Sequence, residues 1–231
     1  MRRSRSSCIF ILYLYSMGKY HDTNHTTGPP LAPPEAVGRR QPAGNPMKFC
    51  SQCGSPVSWQ TLDGDHRPRF VCSSCRTVHY QNPRIVAGCL PLWRGQVLLC
   101  RRAIEPRRGF WTLPGGFLEN GETMKQGAAR ETLEEACAHV ERLELYTLFD
   151  LPHIHQVHVF FRARLVDTRF AAGEESLEVR LFREAEIPWR ELAFPTVGHT
   201  LKYFFEDRVR QLYPVRNEPL APLPMNPLER F

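Results

Sequence analysis

The sequence lacks an apolar run long enough to cross a membrane. The run in "MRRSRSSCIFILYLYSMG" at the N-terminus is about ten residues, against the ~20 that a spanning helix needs. Its basic start gives it the outline of a signal peptide, but no clear A-x-A cleavage site follows. The chain also lacks a charge surplus where a nucleic-acid surface would need one. The net charge is +6, but residues 1–46 alone hold six Lys+Arg and two Asp+Glu, which leaves the body at only +2. That balance argues against a nucleic-acid partner. There is no internal repeat. The eight cysteines lack the distribution of a disulfide framework, because four of them fall in two Cys-x-x-Cys pairs. Such pairs fit a metal site in a reducing compartment, hence a cytoplasmic protein.

What is present divides the 231 residues into four stretches. Residues 1–46, with "HDTNHTTGPPLAPPEAVGRRQPAGNP", are rich in Pro, Gly and Thr and are expected to be disordered. Ordered text begins abruptly at "MKFCSQCGSPV", so translation is expected to start at Met47. Residues 47–83 hold Cys50, Cys53, Cys72 and Cys75. Two such pairs beside turns present four thiolates to one zinc ion in a closed, structural site. A module of fewer than about 40 residues has little core of its own, so the metal supplies much of its stability. Residues 84–212 form the main domain, and 213–231 a tail.

In the main domain, "RIVAGCLPLW" and "QVLLCRRA" flank Arg94-Gly95 and read as a β-hairpin. "RLELYTLFDL", "VHVFFRARLV" and "LEVRLF" read as further strands. A helix is expected over about 124–139, where Thr123 and Gln126 fit a capping box. A second is expected from about Thr196 to Leu212, with Val197, Leu201, Phe204 and Phe205 on one face. Strands around two helices make the fold class α/β, with a mixed sheet. His153, His155 and His158 form an H-x-H-x-x-H string, but strand alternation puts the third on the other face and argues against one metal site.

The chemistry concentrates in "GGFLENGETMKQGAARETLEEACAHV". On a helix, residues three and four apart are neighbours, so Glu131, Glu134 and Glu135 present three carboxylates together. Arg130 can offset only part of that repulsion. A hard divalent cation would offset more, since Mg²⁺ takes oxygen ligands and commonly bridges carboxylates to phosphates. A charged solvent face is the competing reading of the spacing alone. Gly115 and Gly116, just upstream, allow close backbone approach.

The segment resembles the Nudix box, G-x5-E-x7-R-E-U-x-E-E-x-G-U, at Gly116, Glu122, Arg130, Glu131, Glu134 and Glu135. Thr132, Cys137 and Ala138 depart from the pattern, none at a ligand position. With the four-cysteine ribbon, "YQNPRIVAGC", "GFWTLPGGFLENGE" and "GEESLEVRLF", the chain looks like the zinc-ribbon subgroup, which includes FAD and ADP-ribose pyrophosphatases. The resemblance implies an α/β/α sandwich and Mg²⁺- or Mn²⁺-dependent hydrolysis of a nucleoside diphosphate linked to another group. It implies Glu131, Glu134 and Glu135 as metal ligands, aided by the Gly115 carbonyl, with Arg130 orienting a box glutamate. Glu122 is implied as structural. Glu134 or Glu178 is the candidate base, with Glu174 and Glu175 as alternatives to Glu178. Arg101 and Arg102 are candidates for phosphate contacts, and Trp111 and Tyr80 for stacking on a ring, although aromatics are more often core. The implied partner is a small nucleotide: FAD first, then ADP-ribose. NADH ranks lower because "ELAFPTVGHT" replaces the S-Q-P-W-P-F-P of that subgroup. RNA-cap hydrolysis and non-catalytic nucleotide sensing are the further alternatives. A homodimer is compatible with the resemblance.

Overall fold

The computed structural model describes residues 47–221; the leader and residues 222–231 lie outside it, with the expectations attached to them. The chain divides into two compact units between Tyr80 and Gln81.

The first unit is a three-stranded antiparallel sheet of β1 (Val57–Gln60), β2 (Arg69–Cys72) and β3 (Val78–His79). Its buried apolar residues are Cys50, Phe70, Val71 and Cys72, and Trp59 packs on Phe70 with ring centroids 4.6 Å apart. This is too little core to hold such a module alone.

The second unit is built on an eight-stranded mixed sheet. β4 (Arg84–Trp93) and β5 (Gln96–Arg102) form the expected hairpin, and Arg94 and Gly95 both take positive φ in its turn. Two short strands, β6 (Trp111–Thr112) and β7 (Gly115–Phe117), pair with β5 and β4 respectively. After α1 (Met124–Ala136) come the long strands β8 (Val140–Leu151) and β9 (Gln156–Leu165), then β10 (Ser176–Phe182) and α2 (Pro195–Arg210). β9 lies parallel to β4 and antiparallel to β8.

Strand alternation sorts the core onto two faces. In β5, Val97 and Leu99 join Phe182, Val197, Leu201, Phe204 and Phe205 on the α2 side. Leu98 and Cys100 join Ala136, Val179 and Leu181 on the other. Ala87, Cys89, Val159 and Phe161 extend that second face under Ala128 of α1. The result is the expected sandwich, helix on each side of a sheet. Each fully buried Leu or Phe stabilises it by about 2 kcal/mol. α2 shows the expected buried face but stops at Arg210, because Gln211 adopts a left-handed conformation.

One expectation needs correction. Residues from 213 onward are not simply a tail: β11 (Arg216–Pro219) adds a parallel edge strand to β8. A buried polar anchor places it. Arg216 donates two hydrogen bonds to Asp207, both at 2.6 Å, and the Tyr146 hydroxyl donates a third at 2.7 Å. The Arg216 bonds hold Asp207 below the usual carboxylate range. That stabilisation is therefore present above the ordinary Asp value of about 3.9 and is lost as pH falls through the depressed native value. Asp207→Asn is expected to cost about 2 kcal/mol and to flatten the acid limb of a stability-versus-pH curve measured by denaturant unfolding.

Candidate active site

In the ribbon, two turns aim four thiolates at one point. The Sγ atoms of Cys50, Cys53, Cys72 and Cys75 all lie within 4.8 Å of one another, with separations of 3.5–3.6 Å for three of the pairs. A tetrahedron with zinc–sulfur bonds of ~2.3 Å has edges of about 3.8 Å, so the set fits zinc. The N–H groups of Gln52 and Cys75 donate to Cys50 and Cys72 sulfurs at 3.4 Å. The Thr77 hydroxyl, 3.1 Å from Cys75 Sγ, pulls that thiol down to about 6. Such bonds stabilise thiolates, the form a metal requires. His79 was missed by the sequence reading; its Nε2 is 3.3 Å from Cys50 Sγ.

The second unit's site forms where α1 crosses the β4–β7 pair. Gly88 and Gly115 face each other in the register. A Cβ on Gly115 would lie 2.7 Å from Gly88 Cα, so this approach needs both glycines. Gly116 is required for another reason: a Cβ there would sit 2.5 Å from the Glu131 carboxylate. The Gly115 N–H donates to Glu135 Oε2 at 3.2 Å. It is thus the amide of Gly115 that reaches the glutamates here.

Helix α1 starts as expected, with Thr123 and Gln126 in a reciprocal capping box. Arg130 organises its acidic face. It donates to both Glu122 oxygens at 2.8 and 3.1 Å, to Glu131 at 2.8 Å, to Glu134 at 2.9 Å and to the Phe117 carbonyl at 3.1 Å. These bonds hold Glu122 down at about 2 and fix Glu131 against the glycine pair. Glu134 stays exposed.

Glu131 and Glu135 behave differently. Burial raises both, and Glu135, only 7% exposed, is pushed up to about 8. Glu134 raises Glu131, Glu131 raises Glu135, and Glu175 raises both. The Arg102 charge acts in the opposite sense on Glu135. A buried carboxylate crowded by other carboxylates is a setting in which a divalent cation is stabilising. Glu131 and Glu135, with Glu134 beside them, fit Mg²⁺ or Mn²⁺ in donor type, although among the described residues only the cysteines already converge as a ligand set.

The other expected residues separate by strand face. The Arg102 guanidinium donates to the Pro106 carbonyl at 2.8 Å and lies over the Phe194 ring at 5.1 Å, while its charge also acts on Glu135. Arg101 lies on the α2 side with Leu99, donates to the Gly109 carbonyl at 2.9 Å and sits 3.9 Å from Glu178. Glu178 shares that side with Phe182, so it faces away from α1. Of the named acids it is Glu175, held by its carbonyl's bond to the Ala103 N–H at 2.8 Å, that reaches the cluster. A bulge between Ser176 and Glu178 breaks the register there. Trp111 also needs correction as a stacking residue: it is 6% exposed and packs edge-on against Phe182 at 4.8 Å. Tyr80 belongs to the first unit, is 64% exposed and carries Arg69 over its ring at 4.9 Å. Among the histidines, His153 and His155 sit in a turn, while His158 bonds Gln156 and Thr196.

The three departures from the box pattern have local explanations. Thr132 is fully buried and its hydroxyl donates to the Ala128 carbonyl at 2.7 Å, so it fills an aliphatic position without an unpaired polar atom. Ala138 is 1% exposed, where a larger side chain would need more room. Cys137 ends α1 three residues earlier than expected. It is the C-cap, at φ 48°, a conformation that costs an L-residue about 1 kcal/mol and glycine little. Close packing on the sheet, the reason the sequence suggests for a small residue there, is not the cause, since Cys137 is exposed. Cys137→Gly is expected to retain activity and raise Tm by a few degrees, as checked by thermal unfolding.

Comparison with known proteins agrees with this geometry. A family model described as "Nudix N-terminal" matches residues 48–81, and one described as "NUDIX domain" matches 82–204. The crystal structure of a NUDIX hydrolase from Nitrosomonas europaea is 54% identical, with a TM-score of 0.74, covering 75% of this chain and 99% of that one. Curated relatives include the NAD-capped RNA hydrolase NudC of Edwardsiella ictaluri, 30% identical over 168 residues, and that of Salmonella heidelberg, 28% identical over 165. Both alignments cover 70% of this chain, and the chain spans about 60% of the length of those relatives.

Proposed function

Because the chain belongs to the Nudix hydrolase family, we propose that it hydrolyses the pyrophosphate bond of a nucleoside diphosphate derivative, with Mg²⁺ or Mn²⁺ held by Glu131, Glu135 and Glu134 and zinc held by the ribbon. The observation that carries this reading is the half-buried Glu131 and the buried Glu135 set against Gly115–Gly116. When bound, the divalent cation would neutralise diphosphate charge and acidify the attacking water. The chain's own residues do the rest. Arg130 holds Glu131 in place through a 2.8 Å bond. Gly115 and Gly116 let backbone and carboxylate come together without a side chain between them. Arg102 brings a positive charge toward the same place, where it would meet a phosphate oxygen. Glu175 is the acid best placed to take a proton, replacing Glu178 in that role; Glu134 is the other candidate base.

Among substrates, resemblance to the zinc-ribbon subgroup favours FAD and ADP-ribose. The names of the curated relatives favour NAD and NAD-capped RNA ends. They bring an RNA end into range, against the expectation drawn from the small charge of the body. All these substrates share an AMP half, so the carboxylate cluster does not choose between them. The test is a purified-protein panel of FAD, NAD⁺, NADH, ADP-ribose and NAD-capped RNA with Mg²⁺ or Mn²⁺. The expected products are AMP and the complementary monophosphate from the free nucleotides, and nicotinamide mononucleotide and 5′-monophosphate RNA from the capped RNA. Activity on nucleoside triphosphates alone would overturn the reading.

A further inference from the structure

The segment between β9 and β10, residues 166–175, contains no helix or strand, yet it is tied along the C-terminal end of α1. The Val166 N–H donates to the His139 carbonyl, the Ala171 N–H to Ala136 and the Gly173 N–H to Glu135, each at 3.0 Å. The last two acceptors belong to the four carbonyls that a helix leaves unpaired at its C-terminus, so the segment is a strap that caps α1. Phe170 anchors the strap, packed against the buried cluster of Cys100, Ala136, Ala138 and Leu165.

The closest approach is at Gly173. A Cβ there would lie 1.8 Å from the Glu134 carbonyl oxygen and 2.9 Å from the carbonyl carbon. Gly173 is not among the glycines with positive φ, so it is space and not backbone freedom that requires glycine. For alanine the gap would have to widen from 1.8 Å to at least 3.0 Å, and the atoms in the way are helix backbone. The strap would therefore lift by about 1 Å or more.

Two residues further on is Glu175, whose charge acts on both Glu131 and Glu135. Its side chain is exposed, so its backbone sets its place. That backbone is held on both sides. The Ser176 N–H closes a turn onto the Gly173 carbonyl at 3.1 Å, and the Glu175 carbonyl accepts from the Ala103 N–H at 2.8 Å. A shift at Gly173 passes to Glu175 through that single turn.

We propose that Gly173 is the positioning residue for Glu175: its missing side chain lets the strap close on the end of α1 and so holds that acid beside the carboxylates of the same helix. This rests on the proposed pyrophosphatase activity, in which Glu175 takes a proton. A misplacement of ~1 Å costs on the order of a hundredfold in rate, so Gly173→Ala should lower kcat about a hundredfold with KM within about twofold.

The test is a double-mutant cycle on the full chain, using the most rapidly cleaved of FAD, NAD⁺ and ADP-ribose with Mg²⁺. In the Glu175→Gln background, Gly173→Ala should cost less than about threefold further, because the acid it positions is already gone. Amide hydrogen exchange gives a readout free of activity. In Gly173→Ala the Ala171 and Ala103 amides should exchange about tenfold faster, with those of α2 unchanged. If Gly173→Ala does not fold, Phe170→Ala frees the strap from its anchor without crowding α1, with the same expectations. A folded variant with wild-type kcat, or an equal loss in both backgrounds, would overturn the proposal. Absence of hydrolysis by the wild type would instead overturn the activity. Faster exchange at Ala103 would then still support the positioning of Glu175, and unchanged exchange would sink it.

Discussion

Glu131→Gln and Glu135→Gln should each lower kcat at least a hundredfold while leaving the fold intact. Glutamine keeps the shape of the side chain and its bonds to Arg130 or Gly115, but removes the negative charge a divalent cation needs. The two variants should differ in stability. In the metal-free protein, Glu135 is protonated up to about 8 in the folded state, whereas an unfolded Glu ionises near 4.3. Its native pKa is raised, so its contribution is fully present below the unfolded value and is lost as pH rises through the native one. Metal-free wild type should therefore lose stability between about pH 4 and 8, and Glu135→Gln should lack that slope. Denaturant unfolding in a chelator at several pH values, beside kcat with Mg²⁺, measures both effects. Near-normal turnover of either variant would remove these residues from the ligand set.

Removing zinc should unfold the ribbon. Structural zinc sites carry ~10–16 kcal/mol of apparent binding energy, which a module with four buried apolar residues has no other means to replace. Cys72→Ser should bring bound zinc to zero and open residues 47–80 to proteolysis. Cys72 is fully buried, so its replacement also strands a hydroxyl among sulfurs. Trp59, packed on Phe70 inside the ribbon, gives a fluorescence signal for the loss. Cleavage within 47–80 at an unchanged rate, or zinc absent from the wild type by elemental analysis, would refute the ribbon's metal.

Most of the chemistry was legible because it is encoded locally. Cys50, Cys53, Cys72 and Cys75 announce a ligand set by spacing alone, since each turn brings its own pair together. Helical spacing places Glu131 beside Glu134 and Glu135 whatever α1 packs on. Thr123 and Gln126 fix the start of that helix through a three-residue bond pattern. The Arg94-Gly95 hairpin follows from the turn residues themselves.

The remainder depended on contacts between distant segments. Trp111 reads as an open aromatic in "GFWTLPGG", but pairing of β6 with β5 turns it into the core against Phe182. Glu178 and Glu175 are three residues apart, but Glu178 pairs with Arg101 within β10 while Glu175, just before that strand, is the acid whose charge acts on Glu135. The edge strand β11 exists because Arg216 finds Asp207 and Tyr146, partners 9 and 70 positions away in the sequence. Gly173 matters only once the segment after β9 crosses the end of α1. The sequence by itself determined the candidate metal ligands, the helix that carries the glutamates and the family, because those signals repeat at distances set by one turn or one helix. Tertiary structure alone decided where Glu178, Arg101 and Trp111 emerge, because strand pairing and burial over long sequence separations choose the face on which each side chain stands.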